Sequence, residues 1–504
     1  MPRPDPNISL PVRLAHGLVI VLLVLLTLTG LRLAWWLGKD WLDPSLCSAV
    51  DALTPSGAVF DHHALLGTLF GAVGLFYAFY LLFTGEGRRL TNLFHRYEYS
   101  FLKKIAYLAF FVLGIAAVLS GFSIYVGLYK GGAGYLFSSL VHQWSFRLIV
   151  LFGLLHTAEV LISRRRGVNA MFFGRRFVGF VHWPALLIAA ALAVVGAVAF
   201  RQFLARPEVL MCREMNQTVS IDGYAMADEW DQADSIVVQT HGGANFTYSA
   251  AAVTIKAFRS ARDMYVLLRW ADDTKSFNRH LMKTDSGWIP MRSAFAGPHG
   301  EDIYYEDQAA IYLSRSETCG ATCHLAEGSR AGLHYTVGDT ADIWVWKAVS
   351  TNPTAEADDR YWVHDTGPPA GGRRFDNKAS GGYRENLDSL MRRPYFVPTH
   401  RIFRDWLLYG APGYESYDDL ADTFSVGSTI PAVLVAPTTG DRGDVKARGV
   451  WREGVWTVEF KRALGTGSPL DIKLIGELHL GVAVFDNAER AHAVHLRPIR
   501  LIIQ

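Results

Sequence analysis

The sequence predicts an α membrane bundle of five transmembrane helices followed by an all-β sandwich domain on the outer, periplasmic face. Three observations carry that prediction. Residues 1–205 hold five apolar runs, each long enough to cross a hydrocarbon layer of about 30 Å. Residues 206–504 read instead as ordinary soluble protein, rich in Trp, Tyr, Asp and Gly. Lys and Arg crowd two of the loops between the runs and are scarce in the others, which sets the orientation. Two domains follow, 1–205 in the membrane and 206–504 outside it. The net charge of +2 over 504 residues implies no nucleic-acid partner.

The apolar runs cover 11–36, 63–83, 105–127, 141–162 and 183–203. The loop after the second holds Arg88, Arg89, Arg96, Lys103 and Lys104, and the loop after the fourth holds Arg164, Arg165, Arg166, Arg175 and Arg176. The segments 38–60 and 128–140 hold one lysine each, Lys39 and Lys130. The positive-inside rule then puts the N-terminus in the cytoplasm and everything after residue 204 on the opposite side. The first run is longer than the apolar core of a signal peptide and carries His16 at its start, so it reads as a retained helix.

Histidine is costly in a bilayer and is kept there for function. The first helix opens "PVRLAHG" with His16 at its cytoplasmic end, and the second opens "DHHALLG" with His62 and His63 at its outer end. In "VHQWSFRLIVLFGLLH" of the fourth helix, His142 and His156 are fourteen residues apart. That spacing is about 21 Å of rise and returns the second ring to within about 40° of the first. The two imidazoles face the same way, one near each side of the membrane. Depth pairs His16 with His156 and one of His62 and His63 with His142. A single such histidine is ordinarily a hydrogen-bonded core residue, but four at matched depths form two bis-imidazole sites, suited to six-coordinate haem iron. His62 and His63 point about 100° apart, so one alone faces the bundle. The choice falls on His63, because Gly67 one turn on leaves room for a flat ring.

These residues resemble the bacterial dihaem cytochrome b membrane subunits: cytochrome b561 and the membrane anchors of formate dehydrogenases and nickel–iron hydrogenases. The resemblance spans 1–205 and rests on Arg13 and His16 in "RLAH", "TG" at 29–30, "HALLG" at 63–67 and the fourth-helix pair. It implies two haem b groups, a multi-pass protein of the bacterial inner membrane and exchange of electrons with quinone. Gly17 departs from the Trp that often follows the first histidine, without touching ligation. His182 in "HWP" is a candidate for the quinone site, although an interfacial anchor beside Trp183 is the more ordinary role.

In the outer part, "CGATCH" reads as a covalent haem c site, with Cys319 and Cys323 as thioether donors and His324 as proximal ligand. The spacer has three residues where two are usual. A zinc half-site would need further clustered ligands, and a local disulfide leaves His324 without a role. Runs such as "AVTIKAF", "MYVLLRW", "QAAIYLS", "VWTVEFKR" and "HLGVAVF", separated by Gly, Asp and Asn turns, are short strands of a β-sandwich.

Residues 218–504 also resemble the haem-binding subunit of ethylbenzene dehydrogenase. The shared pieces are "IDGYAMADEW", "LLRWADDT", "YYEDQAAIYLS", "ADIWVWKA" and "VAVFDN". Those relatives hold a b-type haem by Met and Lys, and the Cys-Cys-His motif departs from that pattern. For the sixth ligand of the haem c, His280 and His334 are favoured, with Met282, Met291 and Lys347 as further candidates.

Neither half shows a nucleophile–base set, a nucleotide fingerprint or a molybdenum-type thiolate. The expectation is an electron-transfer subunit with two b haems and one c haem. It would link membrane quinone to a periplasmic cytochrome or the catalytic subunit of a molybdenum oxidoreductase. Rival readings are a haem-based sensor or ligand carrier, and a membrane reductase of a small substrate such as ferric iron or superoxide. Cys47 and Cys212 both fall on the oxidising side, where a disulfide between them would persist.

Overall fold

The computed structural model describes residues 9–36, 46, 49–50, 53–54, 59–85, 101–163, 182–204, 208–243, 245–246, 250–292, 304–315, 341–362, 373–399, 405–489 and 492–504. Contacts divide the chain into two compact units, Met1–Leu33 with Val59–Arg206 and Ala34–Ala58 with Pro207–Gln504.

Five helices of the first unit are long and apolar enough to cross a membrane. They are α1 (Leu10–Trp36), α2 (Val59–Thr84), α3 (Phe101–Tyr125), α4 (Gly132–Ser163) and α5 (Trp183–Leu204). Their apolar residues run all round the helix, as lipid surroundings require, and Leu14, Val112, Leu154 and Val195 stand exposed on the bundle surface. Helix α4 begins at Gly132, well before the apolar run at 141. Gly131 and Gly132 turn the chain with φ of 75° and 66°. The serines that interrupt the apolar pattern are helical, with Ser138 buried and its hydroxyl 3.1 Å from that of Ser123 on α3. Helix α3 packs along α4, and α2 packs along both α3 and α5. Among the described residues α1, α2 and α4 share no such close-packed stretch, so their side chains rather than their backbones meet.

The second unit is built on one long curled sheet. Its strands are β1 (Glu208–Glu214), β2 (Ala252–Arg259), β3 (Asp263–Ala271), β4 (Gln308–Ser314), β5 (Ala341–Lys347), β6 (Asp358–Trp362), β7 (Arg373–Phe375), β8 (Lys446–Arg452), β9 (Val455–Ala463), β10 (Gly476–Phe485) and β11 (Ile499–Ile503). Their spatial order is β7-β6-β5-β4-β10-β11-β1-β2-β3-β9-β8. Strand β1 joins the two halves. Glu208–Cys212 run parallel to β11, and Arg213 and Glu214 pass across to pair with β2.

Both halves turn their apolar faces onto one core. Leu210 and Cys212 lie there with Ile255, Leu268, Ile311, Val458, Leu480 and Leu501. Alternation along the strands, as in Val253, Ile255 and Ala257 of β2, is the period of a sheet with one buried face. The indole rings of Trp270, Trp346 and Trp456 pack in the centre, with the Trp346 and Trp456 centroids 4.9 Å apart. Gly449 on β8 admits Trp346, since a Cβ there would lie 2.3 Å from the ring. A smaller core of Leu281, Trp288, Val349, Ile430 and Val433 lies under strands 280–284, 287–290 and 429–431.

Candidate functional site

The membrane unit brings its histidines together in two pairs. His16 of α1 faces His156 of α4, with ring centroids 6.4 Å apart and planes at 78°. His63 of α2 faces His142 of α4 at 6.2 Å and 83°. Two imidazole nitrogens bound to one metal at about 2 Å each, plus the distance from nitrogen to ring centre, put the centroids about 6.3 Å apart. Both pairs have that separation.

Hydrogen bonds decide which nitrogens point inward at the second pair. His63 Nδ1 lies 2.8 Å from Thr29 Oγ1, and that hydroxyl already donates to Leu25 O at 2.9 Å. The hydroxyl oxygen is therefore the acceptor and His63 Nδ1 carries the proton. His142 Nδ1 likewise donates to Ala117 O at 2.9 Å. With Nδ1 protonated on both rings, each Nε2 presents a lone pair, which is how outer-shell contacts orient metal-ligating histidines. Small residues let the rings sit there. A Cβ on Gly30 would approach His63 Cε1 to 3.2 Å, and one on Gly121 would approach His142 Cε1 to 2.8 Å. Gly67 has nothing within 4 Å of the place its Cβ would take. At the other pair, Phe152 stacks on His156 with planes at 3°, and Tyr107 meets the same ring edge-on. These residues fit haem at both places.

Among the described residues His62, the neighbour of His63, meets no other histidine ring, and its buried Nδ1 has no hydrogen-bond partner. His182 is exposed immediately before α5.

In the second unit, Cys319, Cys323, His324 and His334 lie outside the described residues, as does Cys47. His280 is buried, with Nε2 3.8 Å from Asp405 Oδ1. Burial holds its imidazole below the usual range, with Asp405 opposing. Met282 and Met291 lie close by, the latter through its N–H to His280 O at 2.9 Å. Lys347 is buried elsewhere. Its ammonium donates to Tyr383 Oη at 2.9 Å, and burial lowers it to about 8. Cys212 carries a free thiol fully buried in the core. Of the two thiol alternatives left open for Cys47 and Cys212, the free one describes Cys212.

The sequence pieces that carried the second resemblance prove to be packing devices. In "IDGYAMADEW", the N–H groups of Asp222 and Gly223 and the Trp230 indole donate to the buried carboxylate of Glu459. In "YYED", Glu306 accepts from the Val349 and Ser350 amides and pairs with Arg279 at 3.0 Å. Residues 227–497, more than half of the chain, match the family model described as ethylbenzene dehydrogenase. The chain belongs to the ethylbenzene dehydrogenase family. Residues 7–174 of this ethylbenzene dehydrogenase-family chain match a second model, prokaryotic cytochrome b561. The chain is thus a fusion of a b561 membrane unit with an ethylbenzene dehydrogenase-like domain, and b561 membership implies haem b and a membrane electron-transfer role. No curated protein matches it. Among solved structures, a family 9 carbohydrate-binding module from Caldicellulosiruptor kristjanssonii in complex with glucose is 9% identical, over 58% of this chain and 95% of that one, at a TM-score of 0.25. The same module in complex with cellotriose is 11% identical, over 59% and 94%, at 0.24.

Proposed function

We propose that this protein carries electrons between membrane quinone and a periplasmic redox partner, a cytochrome or the catalytic subunit of a molybdenum oxidoreductase. In this reading His16 and His156 hold one haem b on the cytoplasmic side. His63 and His142 hold the second on the outer side. Cys319, Cys323 and His324 attach a haem c to the periplasmic domain, with His280 or His334 as its distal ligand. Haem so held supplies one-electron transfer. The chain's part is to fix ring orientation, to keep each Nε2 unprotonated and to surround both pairs with apolar side chains.

The observation that carries the reading is the spacing of the two imidazole pairs, each set for one metal between its rings. Iron held by both imidazoles of a pair would have no position left for a ligand or substrate, which favours electron transfer over ligand binding or substrate reduction in the membrane unit. The purified chain should contain three haems, of which acid–acetone extracts two and leaves one on the denatured polypeptide. It should also be reduced by a quinol. A chain with no extractable haem refutes the membrane sites, and a denatured chain with no residual haem refutes the covalent one.

A further inference from the structure

Five aspartates of the second unit gather around one arginine. Asp342 stands on β5, Asp359 on β6 and Asp376 directly after β7, while Asp444 precedes β8 and Asp471 lies between β9 and β10. Oxygens of Asp359, Asp376 and Asp471 all lie within 4.8 Å of one another. Arg462 of β9 pairs with Asp342 and lies 3.9 Å from Asp471. Among the described residues no other ion pair reaches these five carboxylates. Fully ionised, they outnumber their single guanidinium by four charges, in a place largely closed to water.

A second observation concerns what these carboxylates touch. Asp359 is 1% exposed and Asp376 3% exposed, and among the described residues no N–H or hydroxyl donates to either carboxylate; the groups in hydrogen-bond reach are other carboxyls, Asp444 for Asp359 and Asp471 for Asp376. Oxygens of Asp342 and Asp444 are orphaned as well. The buried carboxylate of Asp307 is treated differently. Asp307, which lies close to Asp272 and Asp486, accepts from the Ser276 and Asn487 amides and the Trp456 indole. Carboxylate oxygens without a donor in an apolar interior are costly unless a proton or a cation takes the place of water.

We propose that Asp359, Asp376 and Asp471 bind a divalent cation of the calcium type, which ties β6 and the residue after β7 to the segment between β9 and β10. The donor set selects the ion. Three carboxylates offer up to six hard oxygens, the number at which calcium coordination begins, and no histidine or cysteine of the group would favour zinc or copper. The alternative is that the aspartates share protons. Burial and the neighbouring carboxylates push Asp376 up to about 8 and hold Asp359 well above its ordinary range, which keeps that alternative open to measurement.

The test uses the full chain in detergent, stripped with chelator and titrated with calcium chloride. Binding is followed by equilibrium dialysis, and unfolding of the β unit by tryptophan fluorescence. Calcium should bind and raise the unfolding temperature, and Asp359→Asn and Asp376→Asn should each weaken binding at least tenfold. In chelator the order reverses: Asp359→Asn should be no less stable than the native chain, because it removes a carboxylate that lacks a donor. Failure of the native chain to bind calcium overturns the proposal in favour of shared protons, whatever the variants do. Binding that persists undiminished in both variants overturns it too, and moves the ion to another group such as Asp272, Asp307 and Asp486.

Discussion

His63 and His142 face each other with ring centroids 6.2 Å apart, and each is held through Nδ1 by a helix other than its own. His63 of α2 is tied to Thr29 of α1, and His142 of α4 to Ala117 of α3. Four helices therefore define one ligand geometry. Replacement of His63 by Ala should remove one of the two proposed membrane haems, whereas His62→Ala should leave both. Haem quantitation by redox difference spectra checks this, and loss of a haem in the His62 variant alone would reverse the assignment.

Thr29 and Gly121 test the surroundings of that pair rather than its ligands. Thr29→Val removes the acceptor that orients His63, and loss of such an outer-shell bond weakens metal sites about 10–100-fold. Gly121→Val forces atoms into the 2.8 Å approach to His142 Cε1. Both variants should loosen or shift the spectrum of one haem and spare the site at His16 and His156. A uniform loss of both haems would indicate general misfolding of the bundle instead.

Much of this was legible in the residues themselves. The five apolar runs became five helices, because twenty-odd apolar residues have few other ways to satisfy a backbone in lipid. The role of "TG" at 29–30 was not legible, since the contact of Thr29 and Gly30 with His63 depends on how α1 leans on α2. The start of α4 was hidden because its first turns are rich in Gly and Ser and do not register as apolar. In the second unit, alternation predicted strands such as β2 and β9. Nothing local in the sequence could show that β1 serves both halves of the sheet, or that aspartates more than a hundred residues apart converge around Arg462.

Arg279 forms a buried ion pair with Glu306, at 9% and 0% exposure, and its second terminal nitrogen pairs with the exposed Glu385. Removing one partner leaves the other charge unpaired in the interior. Arg279→Met should therefore destabilise the β unit by about 3–5 kcal/mol. The double variant with Glu306→Gln should recover part of that loss. Chemical denaturation of the full chain, followed by tryptophan fluorescence, measures both.

Cys212 supplies a pH dependence with a definite sign. Burial pushes its thiol from 9.0 up to about 12, with Arg259 opposing. Between those values the folded chain keeps a proton that the unfolded chain releases. The contribution is fully present below pH 9 and is lost as the pH rises towards 12, at up to about 1.4 kcal/mol per pH unit. Cys212→Ala should flatten that part of the stability curve. The native thiol should also resist alkylation until the β unit unfolds, and rapid labelling of the folded chain would contradict its burial.

His142 and His156 lie on one continuous helix about 21 Å apart along its axis, and each meets a histidine from a different helix. Neither ring can reach the other's partner. His142→Ala should therefore unload the site shared with His63 alone, and His156→Ala the site shared with His16 alone. Spectra of the two variants should sum to that of the native chain plus one further contribution from the proposed covalent haem. If the proposed haems act in series, reduction by quinol should still reach one membrane haem in the His142 variant, while reduction of the proposed covalent haem slows by orders of magnitude. Stopped-flow spectra with a quinol donor separate these steps. Equal and complete loss of both membrane haems in either variant would show that the two sites fold as one unit, and that the pairs are not independent.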